Sequence, residues 1–191
     1  MAVTLTQCSK SDLDAITPAD TSTRLNVHVT SSGINAAGAT VTLYSSEASF
    51  LNETGHVAAM ITNASGDALF KNLISGTKYY FRVESGCKDN DAGTKSTLTG
   101  LVNGIINNAS TEIISMGTLK FVNNSSNPYK IYINGIVAVN SMAGGTSGTL
   151  HMPAMFYTIR VLQISGYILT PTDQTYTGTL TCGGTLTTTF P

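Results

Sequence analysis

Residues 24–30, RLNVHVT, place Leu25, Val27 and Val29 on one side of an extended chain and Asn26, His28 and Thr30 on the other. An alternation of period two marks a strand with one face buried. It constrains this chain more than any other feature because it recurs. ATVTLYSS repeats it with Val41 and Leu43 inward, and YYFRVES with Tyr79, Phe81 and Val83 opposite Tyr80 and Arg82. Further on, GTLKFVN alternates Leu119 and Phe121, and YKIYING alternates Tyr129, Ile131 and Ile133. VAAMIT, ALFKNL, IVAVN, TLHMPA, MFYTIRVLQISGY, TYTGTLTC and GTLTTTF read as further strands. No stretch sustains a period of 3.6, so helix is expected to be minor.

Turn chemistry punctuates the pattern. NASGD places Gly66 where a left-handed residue fits, ISGTK turns at Gly76, and Gly183 and Gly184 separate the last two strands. Asn134-Gly135 is the strongest hairpin signal, because a type I′ turn needs positive φ at both central positions. EASFLNETGH and GCKDNDAGTK read as loops, and STLTGLV and TEIISM as the strands that close the first half. Short strands spaced by about 8–12 residues predict β-sandwiches. The expected fold is all-β: two tandem small β-sandwich domains, 23–115 and 116–191, behind an extended N-terminal arm, 1–22.

The surface such a chain presents is polar but weakly charged. Apolar residues are 41% and charged residues 11%, against about 25% charged in an ordinary globular protein. Thr, Ser, Asn and Gly take their place, which suits an exposed or assembled β protein. Net charge is −1 and the ten Lys and Arg are scattered, so no nucleic-acid surface is indicated. No apolar stretch approaches the ~20 residues of a helical membrane span.

Catalytic motifs are absent from the sequence. There is no G-x-S-x-G elbow, no H-E-x-x-H, and no evident acid–base carboxylate pair. His28, His56 and His151 lie far apart and read as surface histidines. Asp89, Asn90, Asp91 and Gly93 resemble the start of a calcium loop, but the twelfth position, Gly100, is not Glu, so a solvated turn is expected. No catalytic residue, metal ligand or cofactor is predicted. Three cysteines at long spacing are expected to be free small hydrophobes, with a Cys87–Cys182 bridge as the alternative. MAVTLTQ has neither the charged nor the apolar region of a Sec signal, yet LTQCSKSDLD resembles the end of a lipoprotein signal. Cys8 is therefore a candidate lipidation or processing point.

The pattern Leu43-Tyr44, Thr62-Asn63-Ala64-Ser65-Gly66, Phe70, Leu73, Gly76 and Tyr79-Tyr80 resembles the transthyretin-like domains of Bacteroidota surface proteins. These domains are also called carboxypeptidase regulatory-like or prealbumin-like. The second half is similar in style to PEGA-type β domains. The resemblance implies Ig-like sandwiches whose glycines and aromatics are structural. It carries the expectation of a non-enzymatic structural or attachment module, foremost a virion protein of a phage infecting Bacteroidota: a capsid decoration, head fibre or tail component. The alternative is a cell-surface lipoprotein or appendage subunit with an adhesive role. Expected partners are other structural proteins of the same assembly, further copies of the chain, and a host-surface glycan. Tyr79 and Tyr80 are the candidate exposed aromatic contacts.

Overall fold

The computed structural model describes residues 21–191. All of the expected arm but its last two residues, and Cys8 with it, lie outside them. The first half contains β1 (Arg24–Ser31), β2 (Ile34–Asn35), β3 (Thr40–Tyr44), α1 (Glu47–Leu51), β4 (Ala58–Ile61), β5 (Asp67–Phe70), β6 (Tyr80–Ser85), β7 (Lys88–Asp89) and β8 (Ile106–Glu112). The second contains β9 (Ile114–Asn123), β10 (Tyr129–Ile133), β11 (Ile136–Met142), β12 (Ser147–Pro153), β13 (Phe156–Gln163), β14 (Asp173–Thr179) and β15 (Thr185–Phe190). The described fold is all-β and sandwich-built.

The halves repeat one topology. In the first, β1 lies between antiparallel β5 and parallel β8, and faces a sheet ordered β4-β3-β6-β7. In the second, β9 lies between antiparallel β12 and parallel β15, and faces a sheet ordered β11-β10-β13-β14. Apart from two-residue β2, the strands correspond one to one. Each half is thus a pair of facing sheets, as the sandwich reading requires. The alternating residues behave as their period requires. Leu25, Val27, Val29, Val41, Leu43, Phe81 and Val83 join one core, and Leu119, Phe121, Tyr129, Ile131, Tyr157, Ile159 and Val161 the other. Each such side chain contributes about 1.5–3 kcal/mol on burial.

Turn residues do their expected work. Gly66 has φ +78°, and a Cβ there would stand 2.5 Å from the Val29 carbonyl oxygen. Asn134 and Gly135 have φ 49° and 82°, as a type I′ turn demands.

The halves meet without a spacer. β9 begins by pairing Ile114 with Asp89 and Ser115 with Lys88 of β7, then runs on to pair with β12 and β15. One seven-stranded sheet therefore crosses both sandwiches. Gly117 permits the close approach there, since a Cβ would stand 2.7 Å from the Thr181 carbonyl oxygen. A disulfide joins Cys87, in the turn after β6, to Cys182, in the turn after β14, with Cα atoms 5.5 Å apart. This corrects the expectation of free thiols. The cysteines are 95 residues apart in sequence, but β9 gathers both turns: Met116 N–H donates to the Cys87 carbonyl, and Gly183 N–H to the Met116 carbonyl.

Four segments depart from the reading of the sequence, and GCKDNDAGTK is the first, because it holds β7 rather than a loop alone. EASFLNETGH contains α1, capped by Ser46, whose Oγ accepts from the Ser49 N–H at 3.1 Å. Phe50 then packs edge-on against Tyr44 at 5.8 Å and beside Tyr80 at 6.1 Å. STLTGLV is not a strand: one bridge, Tyr80 to Ser96, holds it to β6. Leu98 is exposed while Leu101 is buried. TEIISM is not one strand either, because β8 ends at Glu112 and β9 starts at Ile114. Most of β8 lies upstream in INNAS, whose polar residues conceal a strand held by parallel pairing to β1.

Candidate functional site

Outward-facing residues of the continuous sheet line a cleft of about 630 Å³ at the seam between the two cores. β6 supplies Arg82 and Glu84, which alternate with buried Phe81 and Val83. Arg82 pairs with Glu53 at 2.9 Å and lies over the Phe50 ring at 5.8 Å, so α1 and the residues after it brace this wall. β7 supplies Asp89, the following loop Asp91, and β12 His151, which sits opposite Thr118 of β9.

Asn90 sets the geometry of the acidic side. It is buried, its Oδ1 accepts from the Val83 N–H at 2.9 Å, and its Nδ2 donates to the Phe81 and Thr94 carbonyls at 3.1 and 2.9 Å. With Asn90 locked inward, its two aspartate neighbours line the cleft. The expected solvated turn is thus a pinned one. Asp89 Oδ1 accepts from the Asp91 N–H at 2.9 Å, and Asp89 Oδ2 lies 2.6 Å from His151 Nε2. Asp91 Oδ2 lies 4.0 Å from the same nitrogen. Lys95 pairs with Asp91 at 3.3 Å, while Lys88 turns away to donate to Ser31 Oγ. The cleft therefore offers two carboxylates and one imidazole nitrogen, a set able to hold a cation. The likeness of Asp89-Asn90-Asp91-Gly93 to the start of a calcium loop is a local signal, but nothing near His151 is one. Only the x-Asp-Asn-Asp-x alternation hints that both aspartates share a side.

Two other polar clusters lie on outer faces. His28 and Asp67 are register partners across β1 and β5, with Nδ1 and Oδ1 2.9 Å apart. Hydrogen bonds from Asn26 and then His28 hold the Asp67 carboxyl below its ordinary range. Arg160 grips Asp173 through two bonds of 2.7 and 2.6 Å and stacks over Tyr132 at 5.1 Å. Those bonds hold Asp173 below the usual carboxylate range.

The aromatic pair divides as adjacent strand residues must. Tyr79 is 1% exposed, its hydroxyl accepting from the Ile74 N–H at 3.1 Å. This corrects its expected exposure: its ring fills the first core between the sheets. Tyr80 is half-buried on the outer face, between Phe50 and Lys78, whose Nζ stands 5.4 Å from the ring centre.

No protein-family model matches the chain, and no curated protein matches it. Among solved structures, the chain is similar to the TIE protein of Bacillus anthracis, at 16% identity and TM-score 0.35, over 89% of this chain and 34% of that one. It is similar to a streptococcal ancillary pilin at 13% identity and TM-score 0.39, over 88% of this chain and 62% of the pilin. It is similar to the shaft pilin SpaA of Lactobacillus rhamnosus GG at 9% identity and TM-score 0.32, over 88% and 97% of the two chains. The chain thus spans about a third of the first neighbour's length and under two thirds of the second's.

Proposed function

We propose that this chain is a non-enzymatic structural or attachment module of an exposed assembly, made of two sandwich modules, 23–115 and 116–191. The observation that carries the reading is the seam. A shared strand and a disulfide hold the two sandwiches at one spacing, which a load-bearing or presenting element requires and a lone binding domain does not. The weakly charged surface, with 11% charged residues, supports it. Disulfides persist on secreted, virion and cell-surface proteins and are rare in the cytosol, so Cys87–Cys182 supports exposure as well.

The finer reading is a virion protein of a phage infecting Bacteroidota, joined to neighbouring structural proteins and to further copies through residues 1–22. Edge strands such as β14, whose one strand partner among the described residues is β13, offer a place for strand addition. The second reading is a cell-surface lipoprotein or appendage subunit, processed at Cys8 and touching host or environmental glycans. The disulfide favours it specifically, because an exported chain enters an oxidising compartment as it folds, whereas a virion is assembled in a reducing cytosol.

Mass spectrometry of purified particles and of cell envelopes separates the two. Enrichment in particles that also hold portal and capsid proteins supports the virion, and enrichment in envelopes supports the surface protein. Recovery from neither defeats the exposed-assembly reading. Deleting residues 1–22 is expected to leave both sandwiches folded and to abolish incorporation. Normal incorporation of the truncated chain would remove the anchoring role.

A further inference from the structure

We propose that Asp89, Asp91 and His151 bind one divalent transition-metal ion, zinc best of all, across the seam. The inference is independent of the function proposed above. The three ligand atoms lie within 4.8 Å of one another. An ion with bonds of about 2.0–2.1 Å holds neighbouring ligands roughly 3.0–3.4 Å apart. The separations of 2.6 and 4.0 Å from His151 Nε2 bracket that range, and with all three atoms within 4.8 Å of one another the side chains need to shift by about an ångström to surround an ion.

The donor chemistry selects the ion. Calcium and magnesium take oxygen ligands, whereas an imidazole nitrogen suits zinc, copper, iron and nickel. His151 is what makes this more than a pair of acids. It arrives from another strand, 62 residues from Asp89, on the far side of β9.

The backbone is already in place. Buried Asn90 fixes both aspartates, and β12 is paired with β9 on both sides of His151. The Asp91 N–H on Asp89 Oδ1 leaves Oδ2 as the coordinating atom, the kind of outer bond that orients a ligand. Of the nearby cations, Arg82 is committed to Glu53 and Lys88 to Ser31, while Lys95 pairs with Asp91 through Oδ1 and leaves Oδ2 for the metal. Three protein ligands leave coordination positions open toward the cleft for water or for a carboxylate from a neighbouring subunit. Bound metal would tie the β7 loop directly to β12.

The test is calorimetric titration of the chelator-stripped full chain with Zn²⁺ and, separately, Ca²⁺ at neutral pH. One Zn²⁺ per chain and weaker Ca²⁺ binding are expected. His151→Ala and Asp89→Asn should each weaken Zn²⁺ at least about tenfold. His28→Ala, which alters the other His–carboxylate pair, should leave it unchanged. X-ray absorption of the zinc-loaded wild type, which needs no variant to fold, should show a single imidazole among oxygen ligands. Absence of Zn²⁺ binding, unchanged affinity in a folded His151→Ala protein, Ca²⁺ binding tighter than Zn²⁺, or a spectrum without imidazole would each overturn the proposal.

Discussion

In the first sandwich the strand after β6 stops after two residues, Lys88 and Asp89, and the sheet continues into β9. In the second the corresponding strand, β14, runs for seven residues, and among the described residues no strand lies beyond it. The same order of strands thus ends once in a junction and once in an open edge. The difference teaches how two such units are joined. Shortening one strand to two residues frees the next module's first strand to pair briefly with it before entering its own sandwich. The turns on either side then come close enough for Cys87 and Cys182 to bond.

The comparison can be broken at its strongest point. Replacing Cys87 and Cys182 together with serine opens a closed loop of 95 residues. In the chain-entropy account such a loop is worth at most about 4–5 kcal/mol. We expect a loss of about 3 kcal/mol in urea unfolding, with hydrogen exchange rising first in β7 and the start of β9. An unchanged midpoint would mean that strand pairing alone holds the seam.

A smaller effect sharpens the contrast between the buried asparagines. Asn90→Ala leaves a strand N–H, that of Val83, without its acceptor, as well as two carbonyls. We expect a cost of about 2–3 kcal/mol. Asn123, also buried, donates to the carbonyls of Asn127, Met142 and Ala143. Its Oδ1 also accepts from the Ser125 N–H at 3.1 Å, but that donor is only part-buried and can turn to water, whereas the Val83 N–H is buried, so Asn123→Ala should cost about 1–2 kcal/mol. Equal losses in chemical denaturation would show that the first half gains nothing special from its pinned loop.

The smallest effect is electrostatic and is read at Asp67 of the first half, the counterpart of Asp173 that Arg160 depresses in the second. The Asp67 carboxyl is depressed in the folded state by bonds from Asn26 and His28. A depressed carboxylate stabilises above its unfolded value, near about pH 4, and that contribution disappears as pH falls through the lower folded value. At this solvent-screened site the effect is under about 1 kcal/mol. The wild type should exceed Asp67→Asn in stability at pH 6 and lose that margin near pH 3. A margin that grows on acidification would refute the assignment.

How much of this was legible in the chain depends on the range of the signal. Leu25-Val27-Val29 and Tyr79-Phe81-Val83 declare their strands because burial reads alternate residues. Gly66 and Asn134-Gly135 declare their turns because few residues tolerate positive φ. α1 is one turn long, too short to show a period. INNAS hides β8, because a strand with exposed faces needs no apolar alternation. The disulfide and the Asp89–Asp91–His151 cluster arise from topology, and neither partner's neighbourhood in sequence contains the other.

The bridge between Cys87 and Cys182 also fixes what happens when the molecule is stretched. Tension applied at opposite ends of the chain crosses directly from one sulfur to the other, bypassing residues 88–181. While the bond is intact, only the segments outside that interval can extend. Most of the second sandwich is thereby shielded from pulling, and its extensibility becomes a property that reducing agents can switch on.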